Sequence, residues 1–204
     1  MKIKVCGLKH PENIEAVAAL EPDYVGFICY APSPRYASGL RDEVLAALPG
    51  NIFKTAVFVN EDEEVISKLI DNYNFDAIQL HGNESPEFCE LFKGRVTLIK
   101  AFGVYDDFDF GRLTKYEDAV DYFLFDTKTA KHGGSGQSFD WKLLDNYKMN
   151  IPFFLSGGLS LENLQEVNGI DHPQFYGVDL NSRFELEPGL KDIYKLKKAF
   201  EILK

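Results

Sequence analysis

Short apolar runs recur along the whole chain and are separated by segments long enough to form a helix. The runs are nearly continuous rather than alternating in polarity, as is typical of parallel strands covered on both faces. The runs predicted to be strands are 3–6, 24–29, 53–59, 77–80, 97–102, 122–126, 152–155 and 175–180.

Most segments between these runs have a helical pattern. Residues 61–73 place Val65, Ile66, Leu69 and Ile70 on one helical face and have acidic residues in the first turn. Other helices are predicted from Pro11, from Pro86 and over residues 160–167 and 192–203, with shorter ones near 106–116 and 141–147.

Repeated strand–helix units predict an α/β fold. Eight units in 204 residues give about 25 residues each, which is near the minimum size of a (β/α)8 TIM barrel. The alternative is a doubly wound open sheet, which usually has about five or six strands. No internal repeat or linker is evident, so residues 1–204 are expected to form a single domain.

The composition of the chain limits the classes of molecule that it is expected to bind. The net charge of −10 disfavours nucleic acid and anionic membranes, but a few local cations could still bind an anionic small molecule. No apolar run is long enough to span a bilayer, and the first residues lack the features of a signal peptide. The three cysteines and four histidines lack the spacing of a disulfide framework or metal site, so we expect a cytoplasmic protein without metal.

In a barrel, catalytic residues lie at the C-terminal ends of strands. Asp126 ends an aromatic strand before a polar, glycine-rich loop, where it caps that loop or takes part in chemistry. Ser138 and Asp140 are expected to cap the helix that starts near Trp141. Cys6 ends the first strand and is either an inert packing residue or a reactive thiolate.

Four more strand-end positions are candidates for ligand binding. Gly157 and Gly158 precede a predicted helix, an arrangement that suits a phosphate but also a simple tight turn. Arg35 follows two prolines, so its guanidinium could be held ready for a carboxylate or phosphate, although most arginines are simply solvated. His81 is a candidate acid–base group or loop hydrogen bonder.

Together, these motifs resemble phosphoribosylanthranilate isomerases, enzymes of tryptophan biosynthesis with a small (β/α)8 barrel. The resemblance runs from the first strand to the last helix, and the joint order of the motifs is its specific feature. The segments are KVCGL (4–8), GFI (26–28), SPRY (33–36), VFVN (57–60), QLHG (79–82), FDT (125–127), GGSGQSFDW (133–141), LSGGL (155–159) and GVD (177–179).

The resemblance implies a cofactor-free Amadori rearrangement of a phosphorylated aminoaldose. It implies Cys6 as the base and Asp126 as the acid. Cys6 must then be a thiolate while Asp126 is protonated, although a cysteine normally has a higher pKa than an aspartate. We expect a desolvated pocket around Asp126 and helix N-termini near Cys6 to supply the required shifts. It also implies that Arg35 holds the anthranilate carboxylate. The remaining implied contacts are with Gln79, His81 and Asp179 for the substrate and with Gly157, Gly158, Ser182 and Arg183 for the phosphate.

One position departs from the family pattern. Arg183 replaces a glycine usual in the loop after the last strand, which leaves the geometry of the phosphate site open. Rival interpretations are a metal-dependent epimerase, for which strand-end His and Asp ligands are sparse, and an indole-glycerol-phosphate synthase relative, which would need a strand-end lysine. A non-catalytic barrel that binds a phosphosugar is a further alternative. The oligomeric state is not indicated.

Overall fold

In residues 1–127 and 139–204, which the computed structural model describes, eight parallel strands form a closed barrel in chain order. The closure pairs the first strand with the last, and Lys4 lies opposite Asp179 in that pairing. This confirms the predicted barrel and rejects the open sheet. The barrel strands are β1 (Lys2–Cys6), β2 (Tyr24–Ile28), β3 (Phe53–Phe58), β4 (Ala77–Leu80), β5 (Thr97–Val104), β6 (Tyr122–Thr127), β7 (Phe153–Leu155) and β8 (Phe175–Leu180).

Helical segments follow the strands. The α-helices are α1 (Pro11–Ala18), α2 (Asp42–Ala46), α3 (Glu63–Tyr73), α4 (Pro86–Glu90), α5 (Leu164–Val167) and α6 (Ile193–Leu203). The 3₁₀ helices are Phe110–Tyr116, Trp141–Asn146 and Ser182–Phe184, and a hairpin of β9 (Glu185–Glu187) and β10 (Leu190–Lys191) precedes α6.

Local sequence signals explain several helix starts. The Ser85 side chain accepts a hydrogen bond from the Phe88 N–H at α4, and Asp192 accepts one from the Lys195 N–H at α6. The predicted cap Asp140 accepts a hydrogen bond from the Lys142 N–H. The other predicted cap, Ser138, and the glycine-rich loop before it lie outside the described residues.

The prediction of a helix over 160–167 is wrong at its start, because α5 begins only at Leu164. The Asn163 side chain explains the delay. Its Oδ1 accepts a hydrogen bond from the Ser160 N–H, and its Nδ2 donates to the Gly158 carbonyl, so residues 158–163 form a turn. The sequence analysis also did not predict α2 or the β9–β10 hairpin.

The main hydrophobic core lies between the strands and the surrounding helices. Ile3 and Val5 of β1 belong to it, as do Phe123 and Phe125 of β6. Because side chains alternate along a strand, the residues between these face the barrel interior. Among the described residues, no helix has the length and apolar character needed to cross a membrane.

Candidate active site

The barrel interior contains two clusters of different character. We define the lower cluster as Tyr24, Ile99, Ala101, Leu124 and Phe154 with the adjoining Tyr122 and Tyr176. The upper cluster lies nearer the C-terminal strand ends, and we define it as Lys4, Cys6, Gln79, His81, Asp126 and Asp179. The structure therefore brings the predicted residues Cys6, Asp126, Gln79, His81 and Asp179 to one end of the barrel.

Cys6 is the last residue of β1, and it is 2% exposed. It lies opposite Gly26 of β2, where a β-carbon would come within 2.6 Å of its Sγ, so the glycine makes room for the thiol. Burial raises the pKa of Cys6, while the Lys4 and Lys191 ammonium groups act to lower it. Two charges that favour the thiolate therefore come from lysines. The helix N-termini expected near Cys6 stay a prediction.

Asp126 lies near the end of β6 with a side chain that is 22% exposed. Its surroundings are thus only partly desolvated, in contrast to the predicted pocket. Its Oδ1 accepts a hydrogen bond from the Thr127 N–H, and its Oδ2 lies 3.5 Å from Nε2 of His81. Oδ2 is therefore the oxygen of this carboxyl group that faces His81.

His81 is oriented by its neighbour on the same strand end. Its Nδ1 lies 2.8 Å from Nε2 of Gln79, a buried side chain. When Gln79 donates to Nδ1, the imidazole is in the tautomer with its proton on Nε2, directed at Asp126. The predicted residues Gln79 and His81 thus form a chain of contacts that ends on Asp126.

The Gly157–Gly158 turn lies directly beside Asp126. Both glycines have positive φ, +81° and +69°, a conformation that favours glycine. A β-carbon on Gly157 would come within 2.5 Å of Asp126 Oδ1 and would also overlap the Thr127 backbone. Because α5 is a single turn, its dipole adds little, so the backbone N–H groups of the turn are the donors that an anion would need here.

Arg35 is held by a carboxylate on the β9–β10 hairpin. Its Nε and Nη2 donate to Glu185, with Nη2 at 2.8 Å from Oε2. Glu185 is nearly buried and also pairs with Lys191 at 2.7 Å. Burial raises the pKa of Glu185, but the Arg35 hydrogen bonds and Lys191 together lower it below the ordinary value. Arg35 is therefore oriented before any ligand binds, with donors on its guanidinium beyond the two that Glu185 uses.

Asp179 is buried and paired with Lys4, whose Nζ lies 3.0 Å from Oδ1. Sequence analysis predicted Asp179 at a substrate site but assigned no role to Lys4, Glu185 or Lys191. The signal for Lys4 was available, since a lysine between Ile3 and Val5 in an apolar strand requires a buried partner. The partner itself was not predictable, because it lies at the other end of the chain.

Ser182 and Arg183 lie in the short 3₁₀ helix after β8. Arg183 is exposed, and it is not among the described non-glycine residues with positive φ. Arginine is therefore conformationally acceptable where the family usually has glycine. Within residues 1–127 and 139–204, no group of three or more His, Cys, Asp or Glu residues could hold a metal ion.

The chain is similar to known proteins in both sequence and structure. The model of the family described as "N-(5'phosphoribosyl)anthranilate (PRA) isomerase" matches residues 3–202. A protein of Parabacteroides distasonis named N-(5'-phosphoribosyl)anthranilate isomerase is 48% identical over 200 residues, covering 97% of this chain and 90% of that protein. A namesake from Phocaeicola vulgatus is 42% identical over 193 residues, covering 94% of this chain and 92% of that protein.

The solved structures that resemble this chain include phosphoribosyl anthranilate isomerases. The crystal structure of phosphoribosyl anthranilate isomerase from Thermotoga maritima superimposes with a TM-score of 0.86 at 34% identity, covering 99% of this chain and 98% of that one. A structure of this isomerase in complex with reduced 1-(o-carboxyphenylamino)-1-deoxyribulose 5-phosphate gives a TM-score of 0.81 at 31% identity, covering 98% of this chain and 97% of that one.

Proposed function

The chain belongs to the N-(5′-phosphoribosyl)anthranilate isomerase family, and we propose that Cys6 is the general base and Asp126 the general acid of its reaction. The protein converts N-(5′-phosphoribosyl)anthranilate to 1-(2-carboxyphenylamino)-1-deoxyribulose 5-phosphate. This Amadori rearrangement is an aldose–ketose isomerisation and a step of L-tryptophan biosynthesis. The substrate is thus a phosphorylated small molecule.

Two proton transfers are needed. Asp126 gives a proton to the furanose ring oxygen, the ring C–O bond breaks, and the nitrogen lone pair forms an iminium ion. The positive charge of the iminium acidifies the C2 proton, which the Cys6 thiolate removes to give an enolamine. Protonation of the enolamine at C1, together with loss of the proton of the C2 hydroxyl, then gives the ketose. No electrons leave the substrate, so the scheme needs only acid–base groups.

The observation that supports this assignment most strongly is the placement of Cys6 and Asp126 in the same upper cluster. They are held by β1 and β6, so their positions are fixed by the barrel rather than by a loop. His81 faces Oδ2 of Asp126, and Gly157 lies close to Oδ1. The Asp126 carboxyl group thus has a neighbour at each of its two oxygens.

Substrate anchoring uses the two ends of the site. Arg35, oriented by Glu185, binds the anthranilate carboxylate with its remaining donors. The phosphate binds the N–H groups of the Gly157–Gly158 turn and the loop of Ser182 and Arg183. Gln79, His81 and Asp179 line the space between. The free cysteines fit a reducing cytoplasm, which is part of the same proposal.

The assignment is tested by comparing Cys6→Ala and Asp126→Asn with wild type in a steady-state assay of the isomerisation. General acid–base groups contribute about 10² to 10⁴ in rate, so kcat is expected to fall by at least that range in each variant. Thermal unfolding should remain within a few degrees of wild type, because neither change opens a large cavity. A near-normal kcat in either variant removes that residue from the mechanism.

Cys89→Ala is the matched control. Cys89 is as buried as Cys6 but lies on α4, outside the barrel interior. Cys89→Ala removes the same atoms as Cys6→Ala, so the two variants should have a similar packing cost. The kcat of Cys89→Ala should nevertheless equal that of wild type. A similar loss of kcat in Cys89→Ala would show that buried thiols matter here for packing only.

A further inference from the structure

Lys4 is fully buried in the upper cluster, 0% exposed, yet the proton transfers described above do not use it. Its Nζ lies 3.0 Å from Asp179 Oδ1, across the β1–β8 pairing where Lys4 and Asp179 are register partners. A buried ammonium group is costly unless it is paired, so the barrel holds this charge at a fixed point.

Lys4 and Cys6 are two residues apart on β1 and so face the same side of the strand. The positive charge of Lys4 favours the Cys6 thiolate, and a thiolate at Cys6 favours the charged form of Lys4. The other charged groups that act on Cys6 are Asp179 of β8, which opposes the thiolate, and Lys191 of β10, which favours it. Cys29, after β2, is affected by Cys6 in turn.

The charges around Cys6 are not balanced when it is a thiol. Lys4 pairs with Asp179, while Arg35 and Lys191 share the single carboxylate of Glu185. Counted without Asp126, these five described residues have one positive charge in excess. A thiolate at Cys6 would neutralise the excess, so the group is built to accept a negative charge at that position.

We propose that Lys4 is the positioning residue of the base: its ammonium group, fixed by Asp179, stabilises the Cys6 thiolate. This inference rests on the proposed function, because it concerns the same base. It assigns the buried β1 lysine an electrostatic role in addition to a structural one. Lys191, on the hairpin, supports the same thiolate from a second direction with a smaller effect.

The inference is tested by titrating the ultraviolet absorbance of the thiolate in wild type and Lys4→Met, each corrected with its own Cys6→Ala background. Burial raises the pKa of both Cys29 and Cys89 to about 12, so they stay silent at lower pH. An opposite charge at close range shifts an ionisation by about one unit or more. Ionisation of Cys6 should therefore be at least tenfold less favourable in Lys4→Met.

Catalysis provides a second readout. At neutral pH, kcat/KM of Lys4→Met should be at least tenfold below wild type, and the deficit should narrow once the pH exceeds the Cys6 pKa of wild type. A purely structural role predicts a deficit that is independent of pH. Lys100→Met is the matched control, because Lys100 is an equally buried lysine that pairs with Glu84 on a different side of the barrel. The control should leave the Cys6 titration unchanged.

Lys4→Met leaves Asp179 buried without its partner and could prevent folding. The double variant Lys4→Met/Asp179→Asn removes both charges and keeps the test decisive. It should shift the Cys6 titration in the same direction by a smaller amount, because Lys4 acts on Cys6 more strongly than Asp179 does. An unchanged titration in the folded variants would overturn the inference.

The same experiment separates this inference from the proposed function. If Cys6 is not the base, Cys6→Ala stays active while Lys4→Met still shifts the thiol titration. If Cys6 is the base but Lys4 has no electrostatic role, Cys6→Ala is inactive while the titration in Lys4→Met matches wild type.

Discussion

The lower and upper clusters of the barrel interior share strands β6 and β8 but are stabilised in opposite ways. In the lower cluster, Phe154 packs edge-on against Tyr24 and Tyr176 with ring centroids 5.3 Å and 5.2 Å apart. In the upper cluster, Lys4 and Asp179 are also buried from solvent, but they are ionised groups that stabilise one another. Leu124 and Asp126, two residues apart on β6, belong to the two different clusters.

This difference shows how a small barrel separates stability from chemistry. Aromatic and aliphatic packing in the lower cluster needs no hydrogen-bond partners and contributes to stability by burial. The upper cluster gains little net stability from its buried ion pairs, because desolvation offsets most of their attraction. Its charges are retained at fixed points where they can act on Cys6 and on a bound substrate. The variants below test that separation.

The largest expected effect is a loss of stability in Phe154→Ala. Removing a fully buried phenylalanine costs about 3–5 kcal/mol of the free energy of unfolding, from lost burial and the cavity left behind. Denaturant unfolding measures this loss, while kcat of the folded fraction should stay near wild type. Phe53→Ala, which removes a 42% exposed ring that also contacts Tyr24, is the control and should lose less. A fall in kcat with little loss of stability would contradict the division between the clusters.

Gly157→Ala should damage the upper cluster. A β-carbon there would displace Asp126, and misplacement of a catalytic group by about 1 Å costs about 10² in rate. We expect kcat to fall by roughly that factor in steady-state assays. Gly94→Ala is the control, since Gly94 shares the positive φ, at +76°, but has open space around its α-carbon. Equal kcat in the two variants would show that Asp126 does not depend on Gly157.

Glu185→Gln should change the pH dependence of stability. The pKa of Glu185 is lowered from 4.5 in the folded protein, so the unfolded chain binds more protons in that range. Its contribution is complete above the unfolded pKa and is lost as pH falls through the folded pKa. We expect about 2 kcal/mol less stability at neutral pH, from a lost charged hydrogen-bond acceptor, and convergence with wild type in acid. Parallel curves of unfolding free energy against pH would exclude an ionic role.

The smallest expected effect is in Arg183→Gly, which restores the usual family residue. If the guanidinium adds a charge-assisted bond to the phosphate, its loss should raise KM several-fold, equivalent to about 1 kcal/mol. Such a bond would stabilise the bound substrate and the transition state equally, so kcat should change little. Steady-state kinetics at constant ionic strength provide the measurement. An unchanged KM would mean that Arg183 has no part in binding, and a lower KM that it obstructs the site.

Most of the fold followed from the sequence because strand-length apolar runs and helix caps are local signals. The runs at 77–80 and 175–180 match β4 and β8 residue for residue. The elements that were missed or misplaced depend on features that leave no periodic pattern in the sequence. The start of α5 depends on the Asn163 side chain, and the β9–β10 hairpin is too short and polar to produce a periodic pattern.

The sequence by itself determined the barrel, the strand-end positions of Cys6 and Asp126 and the family, because each depends on residue order along one stretch of chain. Only the tertiary structure decided the electrostatics of the site. Lys4 and Asp179 are 175 positions apart, and Arg35 and Glu185 are 150 apart. These pairs form because barrel closure brings β8 and the following hairpin against β1. The pairing of these distant charges is therefore a property of closure, which no local pattern along the chain encodes.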